Sequence, residues 1–272
     1  MLPIFFLTFV FIFQLSTSSA LPSLIYYDAT RDKHIYQEWY NMVKNPLEER
    51  TSMMQLINEA NDVTGKTGTQ MMYFLQRAMQ LQNMCVGVPG LTIAECLVVV
   101  MYTEGFYYEY NPAMTNRSWS SYRVYTTLMM SALRKLSKID PIPAGLTLYR
   151  GINFKASPPT SKHIVWKAFT STSLNLEIAK AFAGHNGMIF KFKPPSSRFA
   201  AKVSKLSRNH QDEVILFPFE AFDFLFVDSW GGFNFQTSRN LNLLTPPYCP
   251  TNSLEWACFR KGLCNGMACL TN

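Results

Sequence analysis

The stretch Asp140-Pro-Ile-Pro-Ala-Gly-Leu-Thr-Leu-Tyr-Arg-Gly151 separates two kinds of sequence. Two prolines and a glycine within six residues stiffen the backbone and remove amide donors, so residues 140–145 read as a turn-rich break where helix gives way to strand. Residues 146–151 then begin a series of short β segments.

Working back from the break, residues 32–137 read mainly as helix. Pro46-Leu-Glu-Glu opens one in the expected way, with proline in the first turn and acids near the positive end of the dipole. Met53, Met54, Leu56, Ile57 and Ala60 follow at helical spacing. Residues 70–84 and 92–102 continue the pattern, and Val124, Leu128, Ala132 and Leu136 mark another amphipathic helix over 120–136. The methionines and aromatics here read as core fillers. Gly65-Lys66-Thr67 resembles the end of a phosphate-binding loop, but that motif needs a glycine at position 60, where Ala60 stands, and a preceding strand.

Working forward, strands are predicted over 146–151, 164–171, 187–192, 200–203, 214–217 and 222–228, with one helix over 176–182. Pro158-Pro159 and Pro194-Pro195 fall in the loops. Helices first and strands afterwards predict an α+β domain whose helical half packs on one side of a β core.

The chain has 272 residues, 48% hydrophobic and 16% charged, enough for one large core. Its net charge of +7 comes from scattered Lys and Arg without a nucleic-acid-reading motif, so no nucleic-acid partner is expected. Residues 2–15 are almost wholly apolar, with Ser18 and Ala20 at the −3 and −1 positions of a signal-peptidase site. A signal peptide over 1–20 and a secreted, extracellular protein without a stable membrane anchor are expected. Six cysteines, Cys85, Cys96, Cys249, Cys258, Cys264 and Cys269, suit disulfides in an oxidising compartment. Fifteen pairings are open. Four of the six make residues 246–272 a cysteine-rich tail. No CxxC pair accompanies them, so no metal is expected. Asn116-Arg-Ser is an acceptor triplet for N-glycosylation.

Three segments carry candidate chemistry. Arg150 closes an apolar strand and is followed by Gly151; a guanidinium there offers a fixed fork for a phosphate, and the glycine admits close approach to the backbone. Ser171-Thr172-Ser173 ends a second strand, where Ser173 has the alternative role of helix cap. Gln211-Asp212-Glu213 stands where a polar loop enters the apolar strand Val-Ile-Leu-Phe.

An arginine, a Ser-Thr-Ser and a glutamate on successive strands resemble the Arg–Ser–Glu mono-ADP-ribosyltransferases. The likeness to their secreted and cell-surface eukaryotic branch rests on Leu-Tyr-Arg-Gly at 148–151, Ala-Phe-Thr-Ser-Thr-Ser at 168–173 and Glu-Val-Ile-Leu-Phe-Pro-Phe-Glu-Ala-Phe at 213–222. Val-Met-Tyr-Thr at 100–103 and the helix over 120–136 look similar too. The resemblance implies a mixed β-sandwich core of the ADP-ribosyltransferase type and a catalytic domain over 21–245. NAD would be the substrate and a protein side chain the acceptor. It also implies a monomer, with a toxin or defence role among its uses.

By that resemblance Glu213 is the catalytic carboxylate, Ser171 orients it, Arg150 with Gly151 holds the NAD phosphates, and Thr172 and Ser173 shape the nicotinamide pocket. Arginine-modifying members carry Glu where this chain has Gln211, so arginine is not assured as the acceptor. Asp212, one residue off, is expected to face away from the site. An NAD glycohydrolase and an inactive secreted binding protein on the same fold are the rival expectations.

Overall fold

The computed structural model describes residues 26–28, 38–39, 41–43, 47–116, 118–143, 145–154, 163–193, 200–207, 212–218, 221–227 and 233–237. The predicted signal peptide, the cysteine-rich tail, Pro46 and Gln211 lie outside them.

The architecture is α+β, with a helical half packed on a mixed β core. After a short strand β1 (Tyr26–Asp28) come helices α1 (Glu49–Thr67), α2 (Met71–Gln80), α3 (Ile93–Met101), α4 (Tyr107–Thr115) and α5 (Arg123–Ile139). Strands β2 (Leu148–Ile152), β3 (His163–Trp166) and β4 (Thr170–Ser173) precede α6 (Leu176–Ala183). Then follow β5 (Met188–Lys193), β6 (Ala200–Lys202), β7 (Glu213–Leu216), β8 (Ala221–Val227) and β9 (Phe233–Thr237).

Helix α3 is the axis of the helical half. Its sequence is apolar on every side, and residues 94–101 are all buried. A capping box starts it: the Glu95 N–H donates to Thr92 Oγ1 at 3.2 Å and the Thr92 N–H donates to Glu95 Oε2 at 2.8 Å. The same carboxylate accepts from Ser131 at 2.6 Å and Lys135 at 2.7 Å on α5, so a cap also fixes helix packing. Burial opposes its charge, but Lys135, Ser131 and the Thr92 amide together hold Glu95 below the ordinary carboxylate range. A disulfide joins Cys85 to Cys96 and ties the turn after α2 to α3. Gly65-Lys66-Thr67 is the last turn of α1, where Lys66 pairs with Asp62; no strand leads into it.

Hydrogen bonding links the strands in the order β1-β3-β8-β9-β5-β2-β4-β7-β6, antiparallel except for β5 with β9. Strand β7 separates two cores. Val214 and Leu216 join Leu148, Trp166, Phe190, Phe192 and Phe222 in the interior of the β half, whereas Ile215 and Phe217 join Phe169, Ala201, Val203 and the helices. Burial on both faces explains the unbroken apolar run after Glu213. Trp166 meets Phe190 and Phe192 at centroid distances of 5.6 and 5.1 Å, so β3 and β5 face one interior although β8 and β9 lie between them in the hydrogen-bonding order.

Three sequence expectations change here. The single strand predicted over 164–171 is two strands: β3 pairs with β1 and β8, while β4 pairs with β2 and β7 and runs through Ser173. β1 precedes the helices, so the order is not simply helix then strand. Arg150 sits inside β2 rather than at its end.

Candidate active site

Register places the Ser-Thr-Ser segment beside Glu213. Across β4 and β7, Ser173 lies opposite Glu213, Thr172 opposite Val214 and Ser171 opposite Ile215. Alternation puts Ser171, Ser173 and Glu213 on one face. The side chains then diverge in use. Ser171 Oγ donates diagonally to Glu213 Oε1 at 2.6 Å. Thr172 Oγ1 is buried and donates to the Val214 carbonyl at 2.7 Å, stitching the ladder. Ser173 Oγ accepts from the Asn175 N–H at 3.0 Å, and Asn175, rather than Ser173, caps α6 by accepting from the Glu177 N–H at 2.9 Å.

Arg150 arrives from the other neighbour of β4. β2 and β4 share a single registered pair, Tyr149 with Ser173, and Arg150 Nη1 donates to the Ser171 carbonyl at 2.8 Å. Its buried Nε has no protein acceptor. A buried guanidinium N–H without a partner costs free energy unless an incoming oxygen takes it, and such an open donor suits a ligand phosphate. Gly151 has a packing reason of its own. A Cβ there would stand 1.8 Å from the Ala179 carbonyl oxygen, so glycine is what lets α6 lie on β2; Gly187 admits the same helix, with a Cβ 2.1 Å from the Ala183 carbonyl oxygen.

Glu213 is the first residue of β7, as its sequence context predicted. Burial pushes its carboxyl above the ordinary carboxylate range, against hydrogen bonds from Ser171 and Ser207 and the nearby charge of Arg150. Asp212 is exposed and contributes only its carbonyl, which accepts from the Leu174 N–H at 3.1 Å.

The helical half fixes the floor of this site, which sequence reasoning missed. Tyr102 is wholly buried; its hydroxyl donates to the Phe169 carbonyl at 2.8 Å and accepts from Asn111 Nδ2 at 3.2 Å. Burial pushes its pKa up to about 12, so it stays a neutral phenol. Tyr107, close enough to feel Arg150, is likewise raised by burial. The chain turns between these tyrosines at Gly105, whose φ of 118° lies in the region that favours glycine. The one sequence signal was Val-Met-Tyr-Thr at 100–103, quoted for likeness but given no role. Among the described residues, no three His, Cys, Asp or Glu side chains gather as a metal site would need, and no helix is long and apolar enough to cross a membrane.

The family profile described as NAD:arginine ADP-ribosyltransferase matches residues 21–232. No curated protein matches the chain. Among solved structures it is similar to the crystal structure of the eukaryotic mono-ADP-ribosyltransferase ART2.2, with a TM-score of 0.57 at 16% identity, covering 82% of this chain and 94% of that one. A variant of the same enzyme in complex with NAD superposes with a TM-score of 0.59 at 16% identity, over 73% of this chain and 89% of that one.

Proposed function

Because the chain belongs to the NAD:arginine ADP-ribosyltransferase family, we propose that it is a secreted mono-ADP-ribosyltransferase. It moves ADP-ribose from NAD to a protein side chain and releases nicotinamide. The observation that carries this reading is the convergence of Arg150, Ser171 and Glu213 from three adjacent strands, with Ser171 donating to the Glu213 carboxylate at 2.6 Å.

Cleavage of the nicotinamide–ribose bond develops positive charge at the anomeric carbon. A carboxylate fixed beside that carbon stabilises the transition state more than the substrate, which is what raises kcat. Glu213 supplies it. Its Ser171 partner holds one oxygen in place without neutralising the charge, as a salt bridge would. Arg150 offers its open Nε donor to a phosphate oxygen. The carboxylate acts only when ionised, so activity falls as pH drops through a Glu213 pKa lying above the usual carboxylate range. The Cys85–Cys96 disulfide supports export, since such bonds persist in oxidising compartments.

Gln211 leaves the acceptor open. An amide hydrogen-bonds a guanidinium but cannot ion-pair with it, so arginine is not assured as the acceptor. The test incubates the secreted protein with NAD labelled in its adenylate half, with and without a protein extract, and measures nicotinamide release and label transfer. Release with transfer bears out the reading; release without transfer makes water the acceptor and the protein a glycohydrolase. The absence of both release and transfer overturns it. Gln211→Glu should move transfer toward arginine acceptors such as agmatine, and an unchanged acceptor profile would remove position 211 from specificity.

A further inference from the structure

Thr103 directs its hydroxyl away from its own segment. Within α1 and α5, Thr67 Oγ1 and Thr127 Oγ1 donate to carbonyls four residues back, Val63 at 2.7 Å and Arg123 at 2.8 Å. Thr103 Oγ1 lies 3.1 Å from the Val100 carbonyl but 2.8 Å from that of Leu206, 103 residues later. A hydroxyl has one proton to give, and the shorter contact goes to the segment that joins β6 to β7. Leu206 closes the single tight turn Ser204–Leu206 that follows β6, and it is 1% exposed. The end of such a turn leaves carbonyls without an internal donor, and a buried one is destabilising when unmet.

From Leu206 the path to the site is short and runs through backbone. The Leu206 N–H donates to the Val203 carbonyl at 2.7 Å, and the Val203 N–H donates to the Glu213 carbonyl at 2.9 Å, next to the β6–β7 pair of Lys202 with Val214. On the opposite side the Leu174 N–H donates to the Asp212 carbonyl at 3.1 Å. We infer that Thr103 is a positioning residue for Glu213, its bond to the Leu206 carbonyl fixing the turn that in turn fixes the Glu213 backbone. Tyr102 beside it donates to the Phe169 carbonyl, two residues before Ser171. Adjacent residues of the helical half thereby grip both members of the Ser171–Glu213 pair, one through β4 and the other through the turn after β6. A carboxylate stabilises a developing cation only when held within about 0.5 Å of its productive place, so slack in that turn should lower turnover rather than NAD affinity.

This inference rests on the activity proposed above, so its test has one readout that needs activity and one that does not. The full chain is compared with Thr103→Val, which keeps the shape and loses the donor, and with Thr103→Ser, which keeps the hydroxyl. Thr103→Val should lower kcat for nicotinamide release about 3–10-fold, the worth of one neutral hydrogen bond, with KM for NAD nearly unchanged. Thr103→Ser should recover most of that loss. Thr103→Cys, a weak donor of similar volume, serves where the valine variant does not fold. In parallel, NMR follows amide hydrogen exchange. In Thr103→Val the Val203 and Leu206 amides should exchange about 3–10-fold faster, while amides of the β2–β5 ladder keep their wild-type rates. If the wild type is active and Thr103→Val keeps its kcat, or loosens all these amides alike, the inference is overturned and the proposed activity stands. If the wild type is inactive and the Val203 and Leu206 amides still loosen selectively, the activity falls and the grip on the Glu213 backbone is upheld.

Discussion

Glu59 on α1 and Glu213 at the head of β7 are both acids that burial pushes above the ordinary carboxylate range, Glu59 to about 7. Their partners differ in kind. Glu59 accepts the backbone N–H groups of Val124 and Tyr125 at 2.6 and 2.8 Å, capping the first turn of α5 from a neighbouring helix. Every helix begins with N–H groups that lack an intrahelical acceptor, and this carboxylate satisfies two of them. Glu213 accepts from the Ser171 hydroxyl at 2.6 Å, near a guanidinium with an open donor. A shifted carboxyl alone therefore does not mark an active site. The chemistry of its partners does: backbone amides consume the charge structurally, whereas hydroxyls orient it and leave it available.

The largest expected effect breaks this contrast at Glu213. Glu213→Gln keeps the side chain's shape and removes the charge, so kcat for nicotinamide release should fall by about 10³-fold or more while Tm stays near the wild-type value. Full activity in that variant would remove Glu213 from the chemistry. Next is Arg150→Lys, which preserves charge but loses the planar fork; KM for NAD should rise about 10–100-fold, read by initial rates. An unchanged KM would mean that Arg150 serves only the Ser171 carbonyl.

The smallest effect is at Glu59 and should touch stability alone. Glu59→Ala leaves two α5 amides without their acceptor and should cost about 1–3 kcal/mol in urea unfolding, with kcat per folded molecule unchanged. The folded-state pKa lies above the ordinary value of 4.5, so the folded protein holds this proton more tightly than the unfolded chain. The group's stabilisation is thus full below about 4.5, fades as pH rises to about 7 and is constant beyond. Subtracting the variant's pH–stability curve from the wild type's should isolate that slope; a flat difference would place the Glu59 pKa near its ordinary value.

Much of the architecture was legible because it rests on local pattern. Helical spacing marked α1, α2, α3 and α5, and the Pro-Ile-Pro break fell between α5 and β2. The strand expected over 187–192 is β5, whose Met188, Phe190 and Phe192 point inward between more exposed neighbours. What escaped was set by partners distant in sequence. Nothing in Trp166-Lys-Ala-Phe-Thr indicates that β3 and β4 belong to different parts of the sheet; that depends on β8 and β7, 40 or more residues later. Gly151 looked like room for a ligand, and the room is taken by α6.

The sequence by itself determined the helical and β halves and the identity of Arg150, Ser171 and Glu213, because periodicity and motif spacing are local properties of the chain. Only the tertiary structure decided which hydroxyls serve the carboxylate. Thr172 and Ser173 turn to the backbone, and Ser171 turns to Glu213. The reason is physical: a strand's pleat fixes the face on which a side chain stands, but its hydrogen-bond partner is chosen by whatever neighbouring strand, turn and helix the packing brings within about 3 Å.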